Sequence, residues 1–222
     1  IVSELNDAGA KGVLCNIPDV TSTAFFTTVP YNPIPLTRQG QVDSLMAGYA
    51  QYNAAATQFS LPTIEFAIGA NAMVIEDNNP PYDALGGLRQ IKSNELVLLT
   101  IPQDSIKCFG WGTQVPVPEE YVLTEDELDE IAAATIAFNA SIEDVAGTFE
   151  WGVTDVNGFL NNVAANGLRI EGKNYTTTFG TGNLFSLDGI HLTGNGNAIV
   201  ANEIIETINT TYNASIPKAM VS

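Results

Sequence analysis

Apolar residues in this chain change their spacing several times, and each change marks an element. Val2, Leu5 and Ala8 fall at helical spacing, so the chain opens in a helix or its last turns, which Gly9 then caps. Gly12-Val13-Leu14-Cys15-Asn16-Ile17 is a short apolar run bounded by Gly and Pro. That suits a strand buried on both faces of a parallel sheet, with Cys15 a buried free thiol. Pro30, Pro33 and Pro35 mark 29–37 as an ordered surface loop. Val42, Leu45, Met46, Tyr49, Tyr52, Ala56 and Phe59 recur at helical spacing over 37–59 and carry an aromatic stripe. Segments 64–68 and 73–76 partly alternate and predict strands around a Gly69-Ala70-Asn71-Ala72 turn. Segment 95–101 predicts a third strand, ending at Pro102.

The second half returns to helical periods. Thr124 can cap a helix, with Glu127 completing a capping box, and Leu128, Ile131, Ala132, Thr135, Ile136 and Phe138 form its apolar face. The acids here are therefore structural. Segment 149–156 reads as the final parallel strand, with Asp155 as the N-cap of a short helix over 157–167. A Gly/Thr/Asn-rich loop runs to Phe185, and Ile199, Val200, Ile204, Ile205 and Ile208 mark a last helix. The resulting organisation is an α/β part over 1–62, a β-rich insertion or flap over 63–116, and a second α/β part over 117–222.

Composition narrows the function. The chain has 222 residues and 45% apolar content, as a globular protein does. Its net charge of −17, from 25 acids against 8 bases, excludes nucleic acid as a partner and disfavours anionic membrane surfaces. No apolar run approaches the ~20 residues that a transmembrane helix needs. One His and two distant Cys give no zinc spacing, and no cofactor motif is present. Glu76, Asp77, Asn78, Asn79 and Asp83 offer oxygen ligands for Ca²⁺, but their spacing is not that of an EF-hand, and a solvated acidic loop is the expectation. The chain begins at Ile1 rather than Met, so a preceding segment, with any targeting sequence, is expected.

The chemistry concentrates in Ser186-Leu187-Asp188-Gly189-Ile190-His191-Leu192-Thr193. His191 is the sole histidine, and Asp188 lies three positions before it. A carboxylate so placed can accept the Nδ1 proton, fix the tautomer and stabilise the imidazolium, leaving Nε2 to take a proton from a nucleophile. Ser186 lies two positions from Asp188, where side chains of an extended turn point apart, so it reads as hydrogen-bond support rather than nucleophile. Asp19 and Asp155 follow strands and are weaker candidates, each with a turn or capping role as the simpler account.

This block resembles the C-terminal block of SGNH (GDSL-type) esterases and lipases, whose Asp and His complete a Ser-His-Asp triad. Residues 9–20 look like that family's penultimate strand and the loop after it. The run from Glu95 through Trp111-Gly112 to Tyr121-Val122-Leu123 is similar to a secreted bacterial branch. Two family blocks, Gly-Asp-Ser and Gly-x-Asn-Asp, have no counterpart here. Gly69-Ala70-Asn71 imitates the second, but Ala72 replaces its Asp and it follows rather than precedes the penultimate strand. Asn139, Asn174, Asn209 and Asn213 fit the glycosylation pattern, which carries no weight in a bacterial protein.

The resemblance implies the C-terminal part of a three-layer, flavodoxin-like SGNH hydrolase fold. It implies a secreted, periplasmic or cell-surface serine hydrolase acting on a small-molecule or lipid ester. Asp188 and His191 would be its catalytic residues, and an upstream half would bring the serine. No cofactor or metal is implied. The alternative is a non-catalytic binding or interaction module with an idle Asp-His pair.

Overall fold

The structure, a computed structural model, describes residues 1–221. In chain order it contains α1 (Val2–Asp7), β1 (Val13–Cys15), α2 (Ala24–Thr27), β2 (Ile34–Leu36), α3 (Gln39–Gln58), β3 (Gly69–Asn71) and β4 (Val74–Glu76). There follow β5 (Leu88–Gln90), β6 (Leu96–Val97), α4 (Gln103–Cys108), β7 (Val122–Leu123), α5 (Glu125–Phe149) and β8 (Gly152–Thr154). The chain ends with α6 (Val156–Asn166), β9 (Leu168–Ile170), β10 (Lys173–Tyr175) and α7 (Gly194–Tyr212). It is a mixed α/β chain with small sheets. Two compact units are distinguished: Ile1–Phe25 with Asp129 onward, and Phe26–Leu128.

In the first unit β1 and β8 pair in parallel, Val13 opposite Gly152 and Cys15 opposite Thr154. These are the two segments whose apolar runs predicted parallel strands, although 149–151 belongs to the end of α5 and its turn. α7 lies against both strands. The Tyr212 hydroxyl donates to the Gly12 carbonyl at 2.6 Å, and Thr154 and Thr207 share a hydroxyl hydrogen bond at 3.0 Å. The approach is close enough that a Cβ on Gly152 would sit 2.4 Å from Thr211 Oγ1. Val156, Leu160 and Val163 of α6, Tyr175, Leu184, Phe185 and Ile199 of α7 make the core of this unit.

The strand β1 is not buried on both faces. Val13 and Leu14 are half-buried, and Cys15 is an exposed free thiol. The sheet has two strands among the described residues, so no described strand pairs with its outer edges. The expected loop before Phe185 begins instead as the β9–β10 hairpin. Its turn residues Glu171 and Gly172 both have positive φ, the backbone of a tight hairpin turn. Glu is an uncommon residue at the first of these positions, which is why turn chemistry did not reveal it.

The second unit is built from three antiparallel two-stranded ladders, β2–β3, β4–β5 and β6–β7, with α3 beside them. Val42 and Leu45 of α3, Ile34, Leu36, Ile64, Met73, Val74, Ile75 and Val97 form its core. The hydroxyls of Tyr49 and Tyr52 donate to the Thr113 and Leu88 carbonyls, tying the aromatic stripe to the ladders. Three expectations are corrected here. The proline-rich 29–37 contains β2, whose Ile34 and Leu36 are buried while Pro35 between them is exposed. Proline is tolerated because it lies on an edge strand. The Gly69-Ala70-Asn71 stretch is itself β3, and 64–68 is not a strand. Asn71 holds that irregular stretch, accepting from Ala67 N and donating to the Ala67 and Gly69 carbonyls. The 95–101 strand shortens to Leu96–Val97.

The acidic loop after β4 is not solvated at Asp77. Asp77, Arg89 and Glu95 are all buried. Arg89 Nε meets Asp77 Oδ2 at 2.6 Å, and its two terminal nitrogens take Glu95 as a fork at 2.6 and 2.7 Å. Burial alone would lower the Arg89 pKa, but hydrogen bonds to Glu95 and Asp77 outweigh it and the guanidinium is held more firmly charged. Two carboxylates against one cation leave negative charge, which the backbone N–H groups of Lys92 and Glu125 offset by donating to Glu95 at 2.7 and 3.1 Å. Thr124 N donates to Glu127 at 2.8 Å, the reciprocal half of the expected capping box, and Glu125 pairs with Lys92 at 2.6 Å.

Two outcomes follow. Arg89→Met should destabilise the protein by about 3–5 kcal/mol, because it strands two buried carboxylates; a urea midpoint equal to wild type would contradict the arrangement. Asn139 Oδ1 and Nδ2 hold the Ile17 N–H and carbonyl at 2.7 and 2.9 Å. Asn139→Ala should cost about 1–3 kcal/mol by orphaning the Ile17 N–H, while the Ile17 carbonyl keeps its bond from Asn157 Nδ2, read as a fall in the thermal midpoint.

Candidate active site

The site begins where β1 ends. Asn16, buried, follows β1; its Nδ2 donates to Asp155 Oδ1 at 2.7 Å, while its Oδ1 accepts from Asn157 N at 2.8 Å. Asp155 also caps α6 by accepting from Gly158 N at 2.8 Å. The Asn16 amide, then the Gly158 N–H, keep its carboxyl below the usual carboxylate range. Asn157 Nδ2 and Asn139 both serve the Ile17 main chain. The chain after β1 is therefore fixed by three asparagines before it reaches Asp19. That residue caps a short 3-10 turn through Thr21 N and Thr21 Oγ1 at 2.9 and 2.6 Å. Asp19 and Asp155 are both committed to local structure.

Four residues later in this segment, Phe25 N donates to the Gly189 carbonyl at 2.9 Å. This bond docks the 186–191 loop onto the chain that leaves the carboxyl end of β1. Gly189 meets two demands there: its φ is +75°, and a Cβ would lie 2.7 Å from Phe25 N. The loop is closed at its base. Phe185 and Leu192 form an antiparallel bridge, and Ser186 N donates to the His191 carbonyl at 2.7 Å. Thr193 N then donates to the Leu184 carbonyl at 2.9 Å, and the Thr193 hydroxyl caps α7 through Gly196 N at 3.0 Å.

Inside that loop Asp188 gathers four donors. Its Oδ1 accepts from the backbone N–H of Ile190 and of His191, both at 2.9 Å, and from Ser186 Oγ at 2.7 Å. Its Oδ2 lies 2.7 Å from His191 Nδ1. The Ile190 N–H, then the Ser186 hydroxyl, the His191 ring and the His191 N–H hold the carboxyl far below its ordinary value of 3.8. An ionised Asp188 accepts at Nδ1, so that nitrogen carries the proton and Nε2 is the basic face of the neutral ring. The His191 side chain is 83% exposed and that of Asp188 is 50% exposed. Leu187 and Ile190 beside them are exposed as well.

Asp188 and His191 are thus brought together, as their spacing predicted. Ser186 also joins them. Its side chain does not point away from Asp188, because the loop is a tight turn with Gly189 N donating to the Ser186 carbonyl at 3.0 Å, not an extended segment. The asparagines were not foreseen. Asn139 and Asn157 reach Ile17 from 122 and 140 positions away, and no local pattern marks them. Among the described residues no group of three His, Cys, Asp or Glu side chains could hold a metal ion, and no helix is long and apolar enough to cross a membrane.

The arrangement can position an imidazole through the bond between its Nδ1 and Asp188 Oδ2. An imidazole so held can exchange a proton with a hydroxyl or thiol that meets Nε2. No family model matches this chain, and no curated protein or solved structure matches it.

Proposed function

We propose that the chain is the C-terminal part of an SGNH-type serine hydrolase of carboxylic esters, with the three-layer flavodoxin-like fold of that family. The observation that carries this is the 2.7 Å contact of Asp188 Oδ2 with His191 Nδ1 in a loop docked behind β1, with the other face of the ring open. The open edges of the β1–β8 pair support a sheet completed by an upstream segment. That segment brings a serine to within ~3 Å of Nε2.

In the reaction the serine oxygen attacks the ester carbonyl while Nε2 takes its proton. Asp188 stays ionised and steadies the imidazolium. The proton passes to the departing alcohol, leaving an acyl-serine. Water, deprotonated by Nε2, then releases the carboxylate and restores the serine. The exposed Leu187 and Ile190 supply apolar surface suited to the hydrocarbon part of a small-molecule or lipid ester. A secreted, periplasmic or cell-surface setting goes with this reading. The high exposure of His191 favours a second one, an interaction module in which the pair is idle.

The natural full-length protein separates them. Under the hydrolase reading it cleaves p-nitrophenyl esters and its serine is labelled by a fluorophosphonate. His191→Ala lowers turnover by several orders of magnitude and Asp188→Asn by about 10⁴, the scale of losing the aspartate of a Ser-His-Asp triad. Ser186→Ala costs roughly tenfold or less, since it removes one of four donors to Asp188. Near-normal hydrolysis by His191→Ala would sink the mechanism. Residues 1–222 expressed alone should show no ester hydrolysis and should aggregate or fold poorly; a cooperatively folding monomer would refute the missing-half argument.

Acid behaviour gives an independent check. The Asp188 carboxyl has a depressed pKa in the folded loop, so its contribution to order is complete above 3.8 and is lost only as pH falls well below that value. Carbon-detected NMR should find Asp188 still ionised at pH 3.8, where an exposed free aspartate is half protonated. Titration at the ordinary value would mean the four donors do not hold in solution.

A further inference from the structure

The Phe26–Leu128 unit contains an open cleft of about 1110 Å³. Its walls are the β2 strand, the first two turns of α3, the end of α4 and the turn that follows it. The volume is slightly above the ~300–1,000 Å³ usual for small-molecule sites. Two features set it apart from the rest of the surface. The chain carries 25 acids, yet none lines this cleft. It carries only 8 bases, yet Arg38 and Lys107 both line it. Neither has an ion-pair partner among the described residues. The first turn of α3 holds no acid either, so the positive end of a 20-residue helix adds to the same field.

Apolar groups line it as well, beside the polar Gln41, Ser44, Thr113 and Gln114. Pro33 just before β2, Pro35 within it and Phe109, 69% exposed, just after α4 line the cleft. An exposed phenyl ring in a concave site beside two unpaired cations calls for a ligand with one apolar body and one negative end. The charge should be small. A net charge of −17 repels polyanions, and two cations suffice for a single oxyanion. Arg38 can grip a carboxylate with two parallel N–H donors, and Lys107 adds a point charge.

We propose that this cleft is a binding site for a single-chain carboxylate amphiphile, with the carboxylate at Arg38 and Lys107 and the hydrocarbon along Phe109, Pro33 and Pro35. The proposal is independent of the hydrolase reading. It concerns a site in the other unit and is tested by binding alone.

Cys108 supplies the readout, since its exposed thiol lines the cleft. The full-length protein would be treated with iodoacetamide, and alkylation of the Cys108 peptide followed by mass spectrometry, with and without dodecanoate below its micellar concentration. Saturable protection of Cys108 is expected, with the same dissociation constant by calorimetry. Arg38→Gln and Lys107→Gln should each weaken binding roughly tenfold, the scale of a charge-assisted hydrogen bond. Both side chains are exposed, so thermal midpoints should not move. Dodecanol and acetate, which lack the charge and the tail respectively, should bind at least tenfold more weakly. Dodecanol binding as tightly as dodecanoate, unaltered affinity in both variants, or no saturable protection of Cys108 would each overturn the assignment. Tighter binding of dodecyl phosphate than of dodecanoate would overturn the choice of carboxylate.

Discussion

The parallel pairing of β1 with β8 is the constraint on which the candidate site depends. Asn16 and Asp155, 139 positions apart, can meet only because each leaves the same end of that two-strand frame. Their contact caps α6 and holds the chain that runs on to Ile17, Asp19 and Phe25. Phe25 in turn fixes Gly189. Each hydrogen bond in this series contributes about 0.5–1.5 kcal/mol net. Their joint effect is larger in geometry than in energy, because each fixes the backbone that the next one needs. Loss of any asparagine would loosen the 186–191 loop without touching Asp188 or His191.

Within that loop the decisive atom group is a carboxylate that is only an acceptor. Four donors converge on Asp188, two from the main chain. Protonation would turn one oxygen into a donor facing donors, which is why its pKa falls. The result is an imidazole oriented by charge and by backbone at once. In open water the attraction between such a pair is screened. A catalytic role therefore asks for apolar cover over the ring, where the same charges act at lower dielectric. The exposed Leu187 and Ile190 are suited to receive such cover.

The two arginines of the Phe26–Leu128 unit show how one residue type is used in two ways. Arg89 is buried, flanked by two carboxylates and joined to the main chain around it, and it organises the loops after β4 and β5. Arg38 is exposed, has no ion-pair partner among the described residues, and lines a cleft without acids. In a chain this acidic, an unpaired cation in a concavity is the less ordinary arrangement, and it points to a ligand rather than to structure.

Local sequence was enough for the features whose physics is local. Helical periods placed α3, α6 and α7, Thr124 and Glu127 marked the start of α5, and Asp155 was readable as an N-cap. The Asp188–His191 pair was legible because three residues and a glycine leave the side chains few other places to go. Tertiary structure decided the rest. β2 hid in a proline-rich segment because only an edge position makes proline acceptable there. β3 took the place of an expected turn because Asn71 bonds across it to Ile34 and Ala67. Asp77 became a buried partner rather than a solvated acid because Arg89 lies 12 positions away on the next strand. Cys15 is exposed because β1 has one described neighbour, not two. In each case the deciding contact is remote in sequence, and spacing along one segment carries no record of what folds against it.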